Sequence, residues 1–442
     1  MSELRRQMGL PAAIAVVTGE SIALGIFLTP AAMAKSLGSP LLLAAVWCGM
    51  AFIAICGALC YSELAVRFPQ AGGEYIYLRE GYGGRVAFLY GWMSATVIDP
   101  GLAAALAVGA IPYVQVLHPL TPRMAAYLPA VLLLVLAAIN YVGTRLSSHV
   151  MATVNLLKVG LLFALVAWAW ISGHASMANL LPLAHRRAGS EALFAAIASA
   201  TINAFFSFGG WWEVGKIAGE VRNPRRNLPL AFTCGVMLVT AVYLLVSFAF
   251  LSVVPLEHIV SNTAFVAQFG QALFGSAGGK VLSFCVLLSV AGGLSVLTMV
   301  APRVYYAMAK DRSFFPVFGR LHSRFGTPAN AVLLQTGMAL LVLCFGAFDR
   351  ILAYIIFSAV CFLSLSAASL FRLQEPVRRW WFPAAPISFL AGSAIIGLLI
   401  LVHDPFPALI GIVVVLSGDF LRRYFFPNSQ LTAVSAVQPT IP

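Results

Sequence analysis

Thr18-Gly19-Glu20-Ser21-Ile22-Ala23-Leu24-Gly25-Ile26-Phe27 lies inside an apolar run, residues 8–33, long enough to cross a bilayer as helix at about 20 residues per span. The stretch nevertheless places two glycines, a carboxylate and a serine at what would be mid-depth. Glycine weakens a helix interior by roughly 1 kcal/mol relative to alanine, and an ionisable group at the bilayer centre is costlier still. One reading is a packed helix that tolerates glycine, as many membrane spans do. The other is an interrupted helix, which survives at that depth only where it is buried in protein or lines a cavity. An interruption would leave N–H groups free around Leu24, Gly25 and Ile26 and C=O groups free near Ser21. These ends attract an anion and a cation respectively, which suits a zwitterion.

Working outward, apolar runs of this length recur along all 442 residues. The chain is 61% hydrophobic and 10% charged, with a mean hydropathy of +0.92, which predicts an all-α polytopic membrane protein. Twelve spans are expected, over 9–34 (broken), 40–66, 85–116, 124–143, 149–172, 191–215 (broken), 228–254, 279–308, 329–347, 350–372, 382–403 and 406–424. No cleavable leader is expected, because Arg5 and Arg6 lead straight into a full-length span. The tail at 425–442 is short and polar and is expected to be disordered. A net charge of +12 would fit a nucleic-acid partner if it formed a patch, but it follows the expected topology instead. With the N-terminus inside, twenty Lys and Arg fall on the cytoplasmic side and six opposite, with Lys158 left within a span. This positive-inside pattern excludes the nucleic-acid reading and puts both termini in the cytoplasm; the expected location is the cytoplasmic (inner) membrane. The seven cysteines lie within apolar runs without metal-ligand spacing and the seven histidines are scattered, so neither metal nor cofactor is expected.

A second interruption stands at Phe206-Ser207-Phe208-Gly209-Gly210-Trp211-Trp212-Glu213 in the sixth span. Breaks in spans one and six occupy matching positions if the chain is two five-span halves. Paired interrupted segments of this kind point to an inverted-repeat transporter with its site at the repeat interface. Two parallel six-span halves would give no reason for them. The expected organisation is a first repeat over 9–172, a second over 191–372, and two further spans over 382–424.

The residues of these breaks resemble a known family. Gly25-Ile26-Phe27-Leu28-Thr29-Pro30 is similar to the G-[SA]-G-I-F-x-[ST]-P of the amino acid–polyamine–organocation superfamily, and within it of the L-type amino acid transporter-like permeases. Ala58 to Leu64 followed by Phe68 to Tyr75 resembles that family's second span and loop. Phe206-Ser207-Phe208-Gly209-Gly210-Trp211 resembles F-[AS]-[YF]-x-G-W, and Glu220 to Pro229 resembles E-[IV]-x-N-P-x-[RK]-[ND]-[IL]-P. Arg303 to Asp311 and Thr327-Pro328 match the segment around spans eight and nine. The resemblance covers roughly 9–425 and implies a LeuT-like fold moving amino acids by alternating access. It implies that a substrate carboxylate meets the N–H groups of Leu24 and Gly25, and an ammonium the carbonyls of Ser21, Phe206 and Gly209. Phe206 would gate the site, and Trp212 would line the side-chain pocket with Leu24 and Phe27. Where the family carries Gly-Ser-Gly, this chain has Ala23-Leu24-Gly25, which keeps the N–H groups and loses the hydroxyl. Lys158 matches a fifth-span lysine that stands where sodium-coupled relatives bind a cation, so sodium independence is implied. The family's heavy-chain disulfide uses a cysteine between spans three and four; residues 116–123 have none, so no disulfide-linked partner is expected.

Other polar residues carry ordinary readings. Glu63 and Glu220, at cytoplasmic ends, read as gates or as ion-paired structure. Asn140, Asn155, Thr201 and Asn203 read as interhelical hydrogen bonds. Glu20, Asp99 and Glu213 do not match the family pattern and are candidate charge sites. An apolar pocket favours small to medium neutral amino acids; if one of these carboxylates faces it, a cationic amino acid or polyamine carrier is the alternative. A membrane hydrolase would need a nucleophile–base pair or metal cluster, and a sensor an added soluble domain; neither is seen. The expected partners are a small-molecule substrate and the bilayer. A cysteine introduced as Ser2→Cys should react with a membrane-impermeant thiol reagent in inside-out vesicles and not in intact cells; labelling in intact cells overturns the topology.

Overall fold

The computed structural model describes residues 4–426 apart from 143, 188, 260–261, 345–347 and 404–405. Helix lies over each of the twelve apolar stretches. The first is split into α1 (Leu10–Ser21) and α2 (Gly25–Leu37), followed by α3 (Pro40–Arg67) and a short α4 (Glu74–Tyr82). The third comprises α5 (Gly84–Met93), a π-helical turn at Ser94–Ile98, α6 (Asp99–Gly109) and α7 (Ile111–Leu117). Then come α8 (Pro122–Val142), α9 (Thr144–Ile171), α10 (Leu193–Phe208) and α11 (Pro224–Val253). The remainder are α12 (Asn262–Phe274), α13 (Gly278–Val300), α14 (Pro302–Lys310), α15 (Ala329–Leu343), α16 (Phe348–Ala368), α17 (Ala384–His403) and α18 (Phe406–Phe425).

Among the described residues, eight helical segments are each long and apolar enough to cross a membrane, and the α1–α2 pair makes a ninth. Backbone polar groups in hydrocarbon must be satisfied within the segment, so helix is the form such runs take. The chain is a multi-pass membrane protein. Phe425 closes α18 and Phe426 packs against Phe88, while the expected tail from 427 onward lies outside the described residues. The side chains of Arg145 and Arg350, counted above for topology, also lie outside them.

Both expected interruptions are present. α1 and α2 are bent by 44° across Ile22–Leu24. α10 ends at Phe208; Gly209 is extended, and Gly210 takes φ +98°, a left-handed conformation that favours glycine. Beyond it the chain forms short 3-10 helices, Trp211–Gly215 and Ala218–Glu220, rather than a second α-helical half. The segment then meets the N-terminal arm: the N–H groups of Gln7 and Met8 donate to the Glu220 carbonyl at 2.9 Å, and Arg222 N–H donates to the Met8 carbonyl at 2.8 Å.

α1 lies at the centre, packed by α9, α11 and α13, while α2 packs along α10. Without a hydrophobic driving force between helices in lipid, such contacts depend on close approach of small residues and on interhelical hydrogen bonds. Both operate between α2 and α10. A Cβ added at Gly25 would stand 2.9 Å from Ser207 Cα. The Thr29 and Ser207 hydroxyls lie 2.7 Å apart, with Thr29 Oγ1 donating to the Gly25 carbonyl at 2.9 Å. Gly25→Val should therefore lower stability by about 1–3 kcal/mol, read as a lower melting temperature in detergent. Gly160→Ala on α9, where an added Cβ meets nothing within 4 Å, serves as the control with little change.

Candidate functional site

The two interruptions face each other across a cavity of about 50 Å³. Ser21, Leu24 and Gly25 line it from the first break, and Phe206, Gly209 and Trp212 from the second; the π turn contributes Ile98, α6 Leu102 and Leu106, and α16 Ile355 and Ile356. All six residues assigned to substrate from the sequence thus stand on one cavity. Phe27, expected at its floor, does not line it and is buried in the core. Two residues beyond Gly25 on a helix is about 200° of rotation, which turns Phe27 to the opposite face. Trp211 also turns away, edge-on to Tyr61, Phe232 and Phe389.

The cavity's backbone chemistry is partly committed. In the first turn of α2 the Phe27 N–H closes back on the Leu24 carbonyl at 3.1 Å, while the N–H groups of Leu24, Gly25 and Ile26 are the orphan donors that a helix start leaves. The Ser21 carbonyl accepts from the Tyr243 hydroxyl at 2.8 Å, and the same hydroxyl reaches the Ser207 carbonyl at 2.9 Å. The Phe206 carbonyl accepts from Gly209 N–H at 3.1 Å. The Ser21 carbonyl therefore keeps one lone pair. The Ser21 hydroxyl donates to the Phe208 carbonyl at 3.2 Å, a further tie between the breaks.

The cavity wall is not wholly apolar: Glu20, Asp99 and Glu213 all reach it. Asp99 stands at the start of α6, where Pro100 lacks an N–H and the preceding helix loosens into the π turn, a distortion often found at functional sites. Lys216, counted above on the cytoplasmic side, is instead 1% exposed. Its Nζ donates to Asp99 Oδ1 at 2.9 Å and Glu213 Oε1 at 2.7 Å. The Ser94 hydroxyl holds the other Asp99 oxygen. Arg303, from the same topological count, is likewise buried, paired with Glu220 at 2.7 Å. Glu63 is held by Arg67 and Arg379, both at 2.8 Å. Away from the cavity, Lys158 is buried and donates to the Gly19 carbonyl at 2.6 Å, while Asn155 donates to the Ala15 carbonyl at 2.9 Å. Asn140 reaches Thr298 at 2.8 Å, an interhelical bond of the kind expected.

Sequence reasoning missed Lys216, Tyr243 and the buried Glu74. The spacing of Glu213 and Lys216, three apart beside a double glycine, was a signal for the first. A tyrosine in an apolar run and a glutamate after a loop glycine gave none. Among the described residues, no group of three or more His, Cys, Asp or Glu is placed to hold a metal ion.

The family model described as amino acid permease matches residues 8–423. This chain belongs to that family. The permease is 27% identical to the serine/threonine exchanger SteT of Bacillus subtilis, over 94% of this chain and 95% of that protein. It is 28% identical to the human large neutral amino acids transporter small subunit 2, over 94% of this chain and 79% of that one. To the human b(0,+)-type amino acid transporter 1 it is again 28% identical, over 85% and 79%. It is a permease and not an enzyme.

Removing one partner of a buried ion pair strands the others, at a cost of about 3–5 kcal/mol. Lys216→Met should destabilise the permease by that order, measured by denaturation in detergent. Adding Asp99→Asn should recover part of the loss; a double variant no more stable than the single one would refute the coupling.

Proposed function

We propose that the permease moves amino acids across the cytoplasmic (inner) membrane as a secondary active transporter, favouring small to medium neutral ones. The observation that carries this is the meeting of two interrupted helices on one cavity, with the N-terminus of α2 supplying free N–H donors. A helix N-terminus receives a carboxylate, and a carbonyl lone pair at Ser21 remains for an ammonium. Leu24, Phe206 and Trp212 bound the side-chain space, with Phe206 as the gate. The relatives named for serine and threonine exchange and for large neutral amino acids support the substrate class.

In this reading the chain has twelve spans, with two five-span inverted repeats over 9–172 and 191–372 and two further spans over 382–424. Both termini are cytoplasmic. The broken spans and their neighbours α3 and α11 rock against the rest. Lys158, bound to the Gly19 carbonyl, holds α1 to α9 where a coupling sodium would otherwise sit, so transport is sodium-independent. No disulfide-linked partner is required, since residues 116–123 contain no cysteine. The three carboxylates at the cavity favour a second reading, a carrier of cationic amino acids or polyamines, and the same experiment separates the two.

Proteoliposomes preloaded with unlabelled substrate should accumulate labelled serine, threonine or leucine by counterflow, equally with sodium or choline outside. Trp212→Ala should admit larger neutral amino acids while lysine and putrescine stay near zero. Preference of the wild type for lysine, arginine or putrescine would replace the neutral reading with the cationic one, and a steep rise with a sodium gradient would overturn the sodium-independent one.

A further inference from the structure

We propose that Glu20 is a proton-binding group whose loading and release accompany the transport cycle, so that substrate movement through this permease is coupled to proton movement. The inference rests on the transport reading above and adds its driving ion.

Glu20 is 5% exposed and lines the cavity, yet neither carboxylate oxygen has a hydrogen-bond partner among the described residues. Its side chain lies over Gly210 of the second break; a Cβ added there would stand 2.6 Å from Glu20 Cβ and Cγ. The charged groups facing it come from four elements: Lys216 and Glu213 from the 3-10 segment and the residue after it, Asp99 from α6, Glu74 from α4 and Lys158 from α9. Counting Glu20, four carboxylates face two ammonium groups. Lys216 is engaged by Asp99 and Glu213, and Lys158 by the Gly19 carbonyl. Glu20 also occupies the last turn of α1, the negative end of the helix dipole, where a carboxylate is disfavoured and a cation favoured. Buried charge without a partner is costly, so Glu20 needs a positive ligand in the conformation described.

A proton meets that need whether or not substrate is present. Hydronium on the side to which the cavity opens gives its proton to the carboxylate, forming one O–H bond and releasing water. After the helices rearrange and water reaches Glu20 from the other side, that bond breaks and the proton leaves as hydronium. One proton crosses per loading, and both steps balance. Because the group sits on α1 against the second break, its charge state bears on how the two breaks pack.

The test uses the full-length protein. In proteoliposomes containing a trapped pH dye, wild-type serine uptake should be accompanied by proton entry and should rise several-fold when the outside is made more acidic than the inside. In Glu20→Gln the uptake rates with and without the pH gradient should be equal, with no proton entry. Infrared difference spectra of purified protein across a pH step should show a protonated-carboxyl C=O band that Glu20→Gln lacks. That readout needs no transport, and counterflow without a pH gradient tests the transport reading separately. Wild-type uptake without proton movement, a gradient response or carboxyl band kept in Glu20→Gln, or uptake driven by sodium would overturn the proposal.

Discussion

One hydroxyl joins the two interruptions. The Tyr243 hydroxyl of α11 lies between the Ser21 and Ser207 carbonyls, one from each broken span, and shares its single proton between them. Within a membrane protein every freed backbone group must find a partner or a wet cavity. The end of α1 and the end of α10 each release carbonyls that their own helices can no longer satisfy. By serving both, the phenol fixes the two breaks near one depth. Trp47 and Phe208 pack on its ring, at 4.7 and 5.4 Å between centroids, so the hydroxyl has little freedom to point elsewhere. The cavity exists where it does because this contact and the Gly25–Ser207 approach bring α1, α2, α10 and α11 together there.

The same junction explains why a charged cluster can be kept inside the protein. Asp99, Glu213 and Lys216 are held by a mutual ion-pair triad and by Ser94, together engaging both Asp99 oxygens and one of Glu213's. Buried ion pairs of this sort contribute little net stability, because desolvation offsets the attraction. What they supply here is position. Lys216 ties the 3-10 segment beyond the second break to α6, and Arg303 does the same lower down by holding Glu220, whose carbonyl receives the N-terminal arm. The 3-10 part of the sixth span is therefore fixed at two positions along its length, Lys216 and Glu220.

Much of this was legible in the sequence, for a physical reason. Apolar runs of bilayer length specify helices almost irrespective of context, and glycine pairs at mid-depth specify where they fail; both breaks fell where Gly19–Gly25 and Gly209–Gly210 put them. Facing relations were less legible. Phe27 was assigned to the cavity by motif position, whereas rotation along α2 carries it into the core. Lys216 was counted as a topological charge because a lysine just beyond an apolar run normally reaches water. Its partner Asp99 lies 117 residues earlier, and nothing local announces so distant a pairing. Tyr243 was hidden because one tyrosine among many apolar residues reads as packing until its acceptors are known.

Of the three carboxylates that reach the cavity, Glu20 and Glu213 come one from each broken span and differ in a way that bears on their use. Glu213 has one oxygen bound to Lys216 and is anchored on a short, buried 3-10 turn. Glu20 has no such anchor and stands on α1, whose end is defined only by the break that follows it. A carboxylate that served structure alone would be better placed at a helix N-terminus or against one of the two lysines. At a C-terminal end, unpartnered, it stands where neither the helix nor a neighbouring donor favours its charge. Polar groups left incomplete in this manner concentrate at sites that must change state. The two breaks thus differ in their anchoring: the triad ties the second one to α6, and the carboxylate at the end of the first has no such tie.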